Sequence, residues 1–180
     1  MKFSEQLLKN IGSDVIACIM DNINKGVDIE GNNFAYSEKN YYRPFDKSIY
    51  SKLRKDQSFG KVISNKEGKL GFVIFGYKKF KEVFNPSAKN DYLTWSGKML
   101  RDLNVLKLTD NTVVVGFTDP NNAQKAYWFN IAGVSKSRKL WKFLGLRQQQ
   151  IDEIKLKYEK QITNEVAVEL IKQLLNKKPE

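Results

Sequence analysis

Phe3, Leu7, Ile11, Val15, Ile19 and Ile23 recur every fourth residue, and Leu8, Ile16 and Met20 widen the stripe. That spacing puts one apolar face on an α-helix from about residue 3 to 24. Ser4 is placed to cap it, and Gly26, after Lys25, to stop it. A second stripe runs through Ile151, Ile154, Tyr158, Ile162, Val166, Leu170 and Leu174, broadened by Leu156, Ala167, Val168, Ile171 and Leu175. It predicts a C-terminal helix within 148–178, with Lys177-Lys178 at the negative end of its dipole. A helix of about 28 residues reaches roughly 42 Å. Either it packs along its own domain or its far part lies on another subunit. The chain must bury two long helical stripes, and the residues between them must supply the surface.

Those residues read as hairpins. Phe59–Ser64 and Lys69–Phe75 flank the turn Asn65-Lys66-Glu67-Gly68, and the second arm is apolar enough to be a central strand. Val105–Leu108 and Thr112–Phe117 flank Asp110-Asn111. Tyr77–Phe84 predicts a short helix ended by Asn85-Pro86-Ser87. A helix over 91–103 would turn Tyr92, Trp95, Met99, Leu100 and Leu103 inward, with Gly97 at a close packing point. Asp119-Pro120 opens a further helix to about Ala132, ended by Gly133. Hairpins without strand-helix-strand crossovers imply an α+β fold: an antiparallel sheet of two hairpins packed with helices, in a single domain over 1–180.

Residues 26–58 stand apart as a long basic loop or arm, with irregular extended pieces and a short helix near Lys47–Leu53. From Glu38 to Lys81 there are 12 Lys/Arg against 4 Asp/Glu, within a chain of net charge +11. Tyr36, Tyr41, Tyr42, Phe45 and Tyr50 are interleaved with these cations. Cation plus aromatic suits single-strand or protein-interface surfaces, and equally a solvated loop pinned by tyrosines. The positive field favours a polyanionic partner, either nucleic acid or an acidic protein surface.

The composition narrows the chemistry. With no histidine in 180 residues, Ser-His-Asp and Cys-His catalysis and His-ligated zinc are excluded. One cysteine, Cys18, makes neither an internal disulfide nor a thiolate cluster, and it reads as a small core residue. Asp28, Glu30, Gly31 and Asn32 lack the full ligand pattern of a calcium loop. Asp152 and Glu153, adjacent on a helix, point in different directions. No cofactor, metal site or enzymatic activity is expected. No apolar run approaches the roughly 18 residues of a membrane span, and no signal peptide is read at the start.

Three segments in order resemble the bacteriophage virion-morphogenesis (tail-completion) family, which groups with the small head–tail joining, or neck, proteins of tailed phages. The first is Gly26-Val27-Asp28-Ile29-Glu30-Gly31-Asn32-Asn33-Phe34. The second is Leu93-Thr94-Trp95-Ser96-Gly97-Lys98-Met99-Leu100. The third is Lys125-Ala126-Tyr127-Trp128-Phe129-Asn130-Ile131-Ala132-Gly133, followed by Phe143-Leu144-Gly145-Leu146 and Ile151-Asp152-Glu153-Ile154. Asn130 and Ile131 stand where that family carries His and Gln, and Trp141-Lys142 replace its Arg-Pro.

The resemblance implies a structural virion protein that forms a ring at the head–tail junction or tail terminus and aids tail attachment. Six copies are favoured over twelve. Neighbours would be other neck, connector and tail-tube proteins, with assembly in the host cytoplasm and no membrane partner. Asp28, Gly31, Gly97, Gly133 and Gly145 are then structural motif positions. Tyr127, Trp128 and Phe129 are consecutive on a helix and cannot all face one core, so at least one should reach another element or subunit. Trp141 and Phe143, beside Arg138, Lys139 and Lys142, form a second candidate contact. Lys47, Lys52, Arg54 and Lys55 are candidates to line a lumen and meet DNA phosphates without sequence preference. The alternative function is a soluble, basic, phage-encoded DNA-binding module. It would need a base-reading recognition helix, which the pattern does not show.

Overall fold

A computed structural model describes residues 2–36, 38–64, 67–86, 93, 97–133 and 140–175. The elements in chain order are α1 (Glu5–Lys25), β1 (Tyr41–Pro44), α2 (Lys47–Leu53), β2 (Gly60–Ser64), β3 (Leu70–Ile74) and α3 (Tyr77–Phe84). They continue with α4 (Lys98–Arg101), β4 (Leu103–Leu108), β5 (Val113–Phe117), α5 (Pro120–Tyr127), a π-helical turn (Trp128–Ala132) and α6 (Gln148–Leu175). The fold is α+β. Its two hairpins fall in separate antiparallel sheets, β1-β3-β2 and β4-β5. By contacts the chain forms two compact units, one of Met1–Asn33 with Tyr92–Glu180, the other of Phe34–Asp91.

The first unit is organised by α1. Ser4 caps it by accepting a hydrogen bond from the Leu7 N–H, and Gly26 ends it in the left-handed conformation at φ 72. The helix lies on the β4–β5 hairpin at very close range. A Cβ added to Gly12 would sit 2.6 Å from Val105 Cγ2 and 2.9 Å from Val113 Cγ2. Val105 pairs with Val115 and Leu108 with Val113, and a register shift between Val105 and Lys107 leaves Leu106 as the extra residue of a bulge. The Phe3 N–H donates to the Asp110 carbonyl, tying the start of the chain to the hairpin turn.

Helix α6 runs antiparallel to α1, and polar links fix the register. Asn22 and Gln150, both buried, exchange amide hydrogen bonds of 3.0 Å. Gln150 Oε1 also accepts from the Arg147 N–H, half of a capping box at the start of α6. Further along, Asp14 accepts from Lys157 Nζ and from the Tyr158 hydroxyl. At the far end, the Glu165 carboxylate accepts from both the N–H and the hydroxyl of Ser4, where the positive end of the α1 dipole favours it. Helix α6 therefore lies along α1 of its own chain as far as Glu165. Tyr158 is buried there, but Leu156 and Val168, read as part of a broadened apolar face, are 74% and 51% exposed.

In the second unit β3 is the central strand. It pairs with β2 as the expected hairpin and on its other edge with β1, Tyr42 opposite Val73. Ile49, Leu53, Phe59, Phe72, Ile74 and Phe80 form the core. Asp46 caps α2 by accepting from the N–H groups of Ser48 and Ile49. The stretch 26–58, expected as a loop or arm, thus holds the short helix at Lys47–Leu53 and also a strand.

The helix expected over 91–103 is corrected. Among the described residues of that span only the single turn Lys98–Arg101 is helical, and Leu103 already opens β4. Gly97, at φ 70, caps that turn in a left-handed conformation, which a continuous helix through it could not contain. Tyr92 and Trp95, part of the same expectation, lie outside the described residues, as do Asn65-Lys66 of the first hairpin turn and Lys177-Lys178.

Two outcomes test this framework. Gly12→Val should lower stability by about 1–3 kcal/mol despite the gain in helix propensity, because stiff branched side chains face the new one. A lowered thermal midpoint by circular dichroism is the expected readout. The second concerns pH. Hydrogen bonds from Ser4 hold the Glu165 carboxyl below its ordinary range. A depressed folded-state pKa gives stability that is fully present above the unfolded value and is lost as pH falls through the folded one. In urea titrations, wild type should be more stable than Glu165→Gln at pH 7, and that advantage should shrink as pH falls below the ordinary carboxylate range and vanish once Glu165 is protonated in the folded state.

Candidate functional site

The first recognisable segment is a tight turn built on Asp28. Its buried carboxylate accepts through Oδ1 from the N–H groups of Glu30 and Asn32, at 2.9 and 2.8 Å, and through Oδ2 from Asn32 Nδ2. The backbone closes on itself as the Asp28 N–H donates to the Asn32 carbonyl and the Gly31 N–H to the Asp28 carbonyl. Gly31 supplies the positive φ of 83 that the turn needs. An aspartate two and four residues before these amides, followed by glycine, is a local pattern that the sequence carries openly.

This turn is clasped to residues 142–145. The Ile29 N–H donates to the Lys142 carbonyl at 3.0 Å, and Lys142 Nζ pairs with Glu30. The Glu30 carboxylate raises the Lys142 ammonium above its usual range. Gly145 approaches Ile29 so closely that an added Cβ would lie 3.1 Å from Ile29 Cγ2. From the other side, Asn130 accepts through Oδ1 from the Leu144 N–H and donates through Nδ2 to the Ala126 carbonyl. Asn130, which the resemblance marked only as a departure, is thus the side chain that joins the π-helical turn to the segment after it. The parts of the first and third recognisable segments, about 110 residues apart in the chain, form one hydrogen-bonded assembly.

The five aromatic candidates separate. Phe129 stacks on Trp141 with ring centroids 5.8 Å apart and meets Phe143 edge-on. Trp141 and Phe143 are buried, at 6% and 0% exposure. The expectation that these two form a contact surface is corrected: neighbouring lysines and arginine suggested an outward-facing pair, but Phe129 and the Trp141 N–H to Phe129 carbonyl bond fold them inward. Arg138 and Lys139 lie outside the described residues. Tyr127 and Trp128 point outward, half exposed, and Ile131, which sequence reasoning did not select, is 66% exposed beside them. Gly133, at φ 80, ends the π-helical turn that carries Trp128 and Ile131.

The basic candidates also separate. Lys47, Arg54 and Lys55 are exposed. Lys52 is corrected: its ammonium donates to the Val83 carbonyl at 2.7 Å and sits 4.7 Å from the Phe84 ring centroid, fastening α2 to α3. Cys18 is half-buried, and burial, aided by Asp14, Glu153 and Asp21, pushes its thiol pKa up, away from a reactive thiolate. Among the described residues no three of His, Cys, Asp or Glu are grouped to hold a metal ion, and no helix is long and apolar enough to cross a membrane. Comparison with protein-family models, curated proteins and solved structures finds no match to this chain.

Asp28→Ala should free the amides of Glu30 and Asn32 and destabilise the first unit by about 1–3 kcal/mol, since buried donors lose their acceptor. Hydrogen exchange should show the loss of protection concentrated in residues 28–33.

Proposed function

We propose that this chain is a structural component of a tailed-phage particle, a neck or tail-completion protein that assembles into a ring at the head–tail junction or tail terminus. Support comes from the ordered resemblance of the three segments. The observation that carries the reading is the apolar group Tyr127, Trp128 and Ile131, presented to solvent by the end of α5 and the π-helical turn that follows it. That turn is in turn anchored to the Asp28 turn through Asn130 and Leu144. A rigidly mounted group of exposed large apolar side chains is the usual centre of a protein interface. In a ring, this group on one protomer meets a different patch on the next, a head-to-tail contact that closes on itself, with six copies favoured. Lys47, Arg54 and Lys55 then offer charge to the phosphates of DNA passing through, or to acidic surfaces of neighbouring neck proteins. The virion is its place of function, reached from the host cytoplasm.

Trp128→Ser with Tyr127→Ser should abolish self-association, or attachment to particles lacking the protein, while leaving the thermal midpoint within a few degrees of wild type. Phe143→Ala should lower that midpoint, at a cost of about 3–5 kcal/mol. Light scattering and thermal melts read the two effects apart. Wild-type association that survives the double substitution would refute this placement of the interface.

A further inference from the structure

One face of the second unit carries a strip of exposed aromatic and basic side chains. Tyr42 is 57% exposed, Phe45 45% and Tyr50 37%. Tyr42, Pro44, Phe45, Lys69 and Leu70 line an open groove of about 500 Å³. The strip then continues onto α2, because the Phe45 and Tyr50 ring centroids are 5.8 Å apart. Lys47 and Tyr50 on that helix and Arg54, its C-cap, which keeps the helical conformation, follow at spacings of three and four, so they share one face, while Ile49 and Leu53 are buried on the other.

The aromatic rings are held in place. A Cβ on Gly71 would fall 2.7 Å from the ring of Tyr42, so the tyrosine lies over bare backbone with its other face to solvent. Phe45 stacks on Phe72, which is fully buried. Platforms fixed in this way lose little side-chain freedom when a flat ligand stacks on them. Three carboxylates lie close by and are engaged: Asp46 in capping α2, Asp56 in accepting from the Ser58 N–H, and Glu67 in an ion pair with Lys69 at 2.9 Å. The unit as a whole, residues 34–91, carries 13 Lys/Arg against 6 Asp/Glu. Its lysine-rich cations suit phosphates better than a protein interface core, from which lysine is depleted.

We propose that this strip binds single-stranded nucleic acid, with unpaired bases stacking on Tyr42, Phe45 and Tyr50 and phosphates meeting Lys47, Arg54 and Lys55. A duplex offers the same phosphates but hides the base faces, so the strip discriminates strands by their pairing. Base–aromatic stacking is tolerant of sequence, and the salt dependence is that of phosphate contacts. This inference does not depend on ring assembly.

The test is fluorescence anisotropy of the full chain with labelled oligo-dT, oligo-U and a duplex of equal length, at 50–300 mM salt. Either single strand should bind at least tenfold more tightly than the duplex, and the two arms tell whether DNA or RNA is preferred. Lys47→Gln with Arg54→Gln, on the exposed helix face, should weaken binding and flatten its dependence on salt. Photocrosslinking with a bromodeoxyuridine oligonucleotide on the unaltered protein should map to Tyr42, Phe45 or Tyr50, which keeps the test independent of any variant's folding. Binding of duplex and single strand alike, crosslinks elsewhere, no binding at 50 mM salt, or displacement by an acidic polypeptide in preference to oligo-dT would overturn the proposal.

Discussion

The first unit depends on the near-contact of α1 with the β4–β5 hairpin at Gly12. A two-stranded hairpin is marginal alone and needs a helix on its apolar face. Any side chain at position 12 would lift the helix away from Val105 and Val113. Glycine lets the helix backbone settle into the hairpin, and the propensity lost at this one position is outweighed by the apolar surface the approach buries. With α1 placed, α6 covers another of its faces. Apolar stripes as broad as these would tolerate sliding. The buried Asn22–Gln150 exchange does not, because a shifted register leaves amide groups unpaired in a dry environment.

From that framework the remaining features of the unit follow by short hydrogen-bonded steps. The end of α1 passes at Gly26 into the Asp28 turn. That turn grips residues 142–145, and these hold the π-helical turn through Asn130. Consecutive positions across the junction of α5 and the π-helical turn point in different directions, so Phe129 faces inward while Tyr127 and Trp128 point out. The second unit uses another economy. Stacked and edge-on phenylalanines, Phe59, Phe80 and Phe84 among them, fill a small core, and most of the chain's excess positive charge stays outside it.

Legibility in the sequence followed the range of the interactions. Helices α1 and α6 and both hairpins were readable, because periodicity and turn residues are local. The short α2 was expected near Lys47–Leu53, and the structure adds the Asp46 cap and the buried pair Ile49 and Leu53 that hold it. Strand β1 was not: Tyr41-Tyr42-Arg43-Pro44 has a proline and no clean alternation, and it becomes a strand only because β3 offers an unpaired edge. Gly97 was noticed as a packing point, and the structure shows it opening the single helical turn Lys98–Arg101 from a left-handed conformation. The inward turn of Trp141 and Phe143 and the fastening of Lys52 to α3 depend on residues distant in the chain, so local composition misassigned them. Gly12 carried the most consequential signal, a glycine inside a strong helical pattern, and its meaning appears only with the hairpin beneath it.

The functional account rests on assembly through a surface that the fold mounts rigidly, and electron microscopy tests this most directly. The purified protein would be imaged alone and after mixing with tails or heads that lack it. The account predicts closed rings, or density added at the tail end or head vertex, with a countable symmetry. Separate monomers that leave both particles undecorated would contradict it.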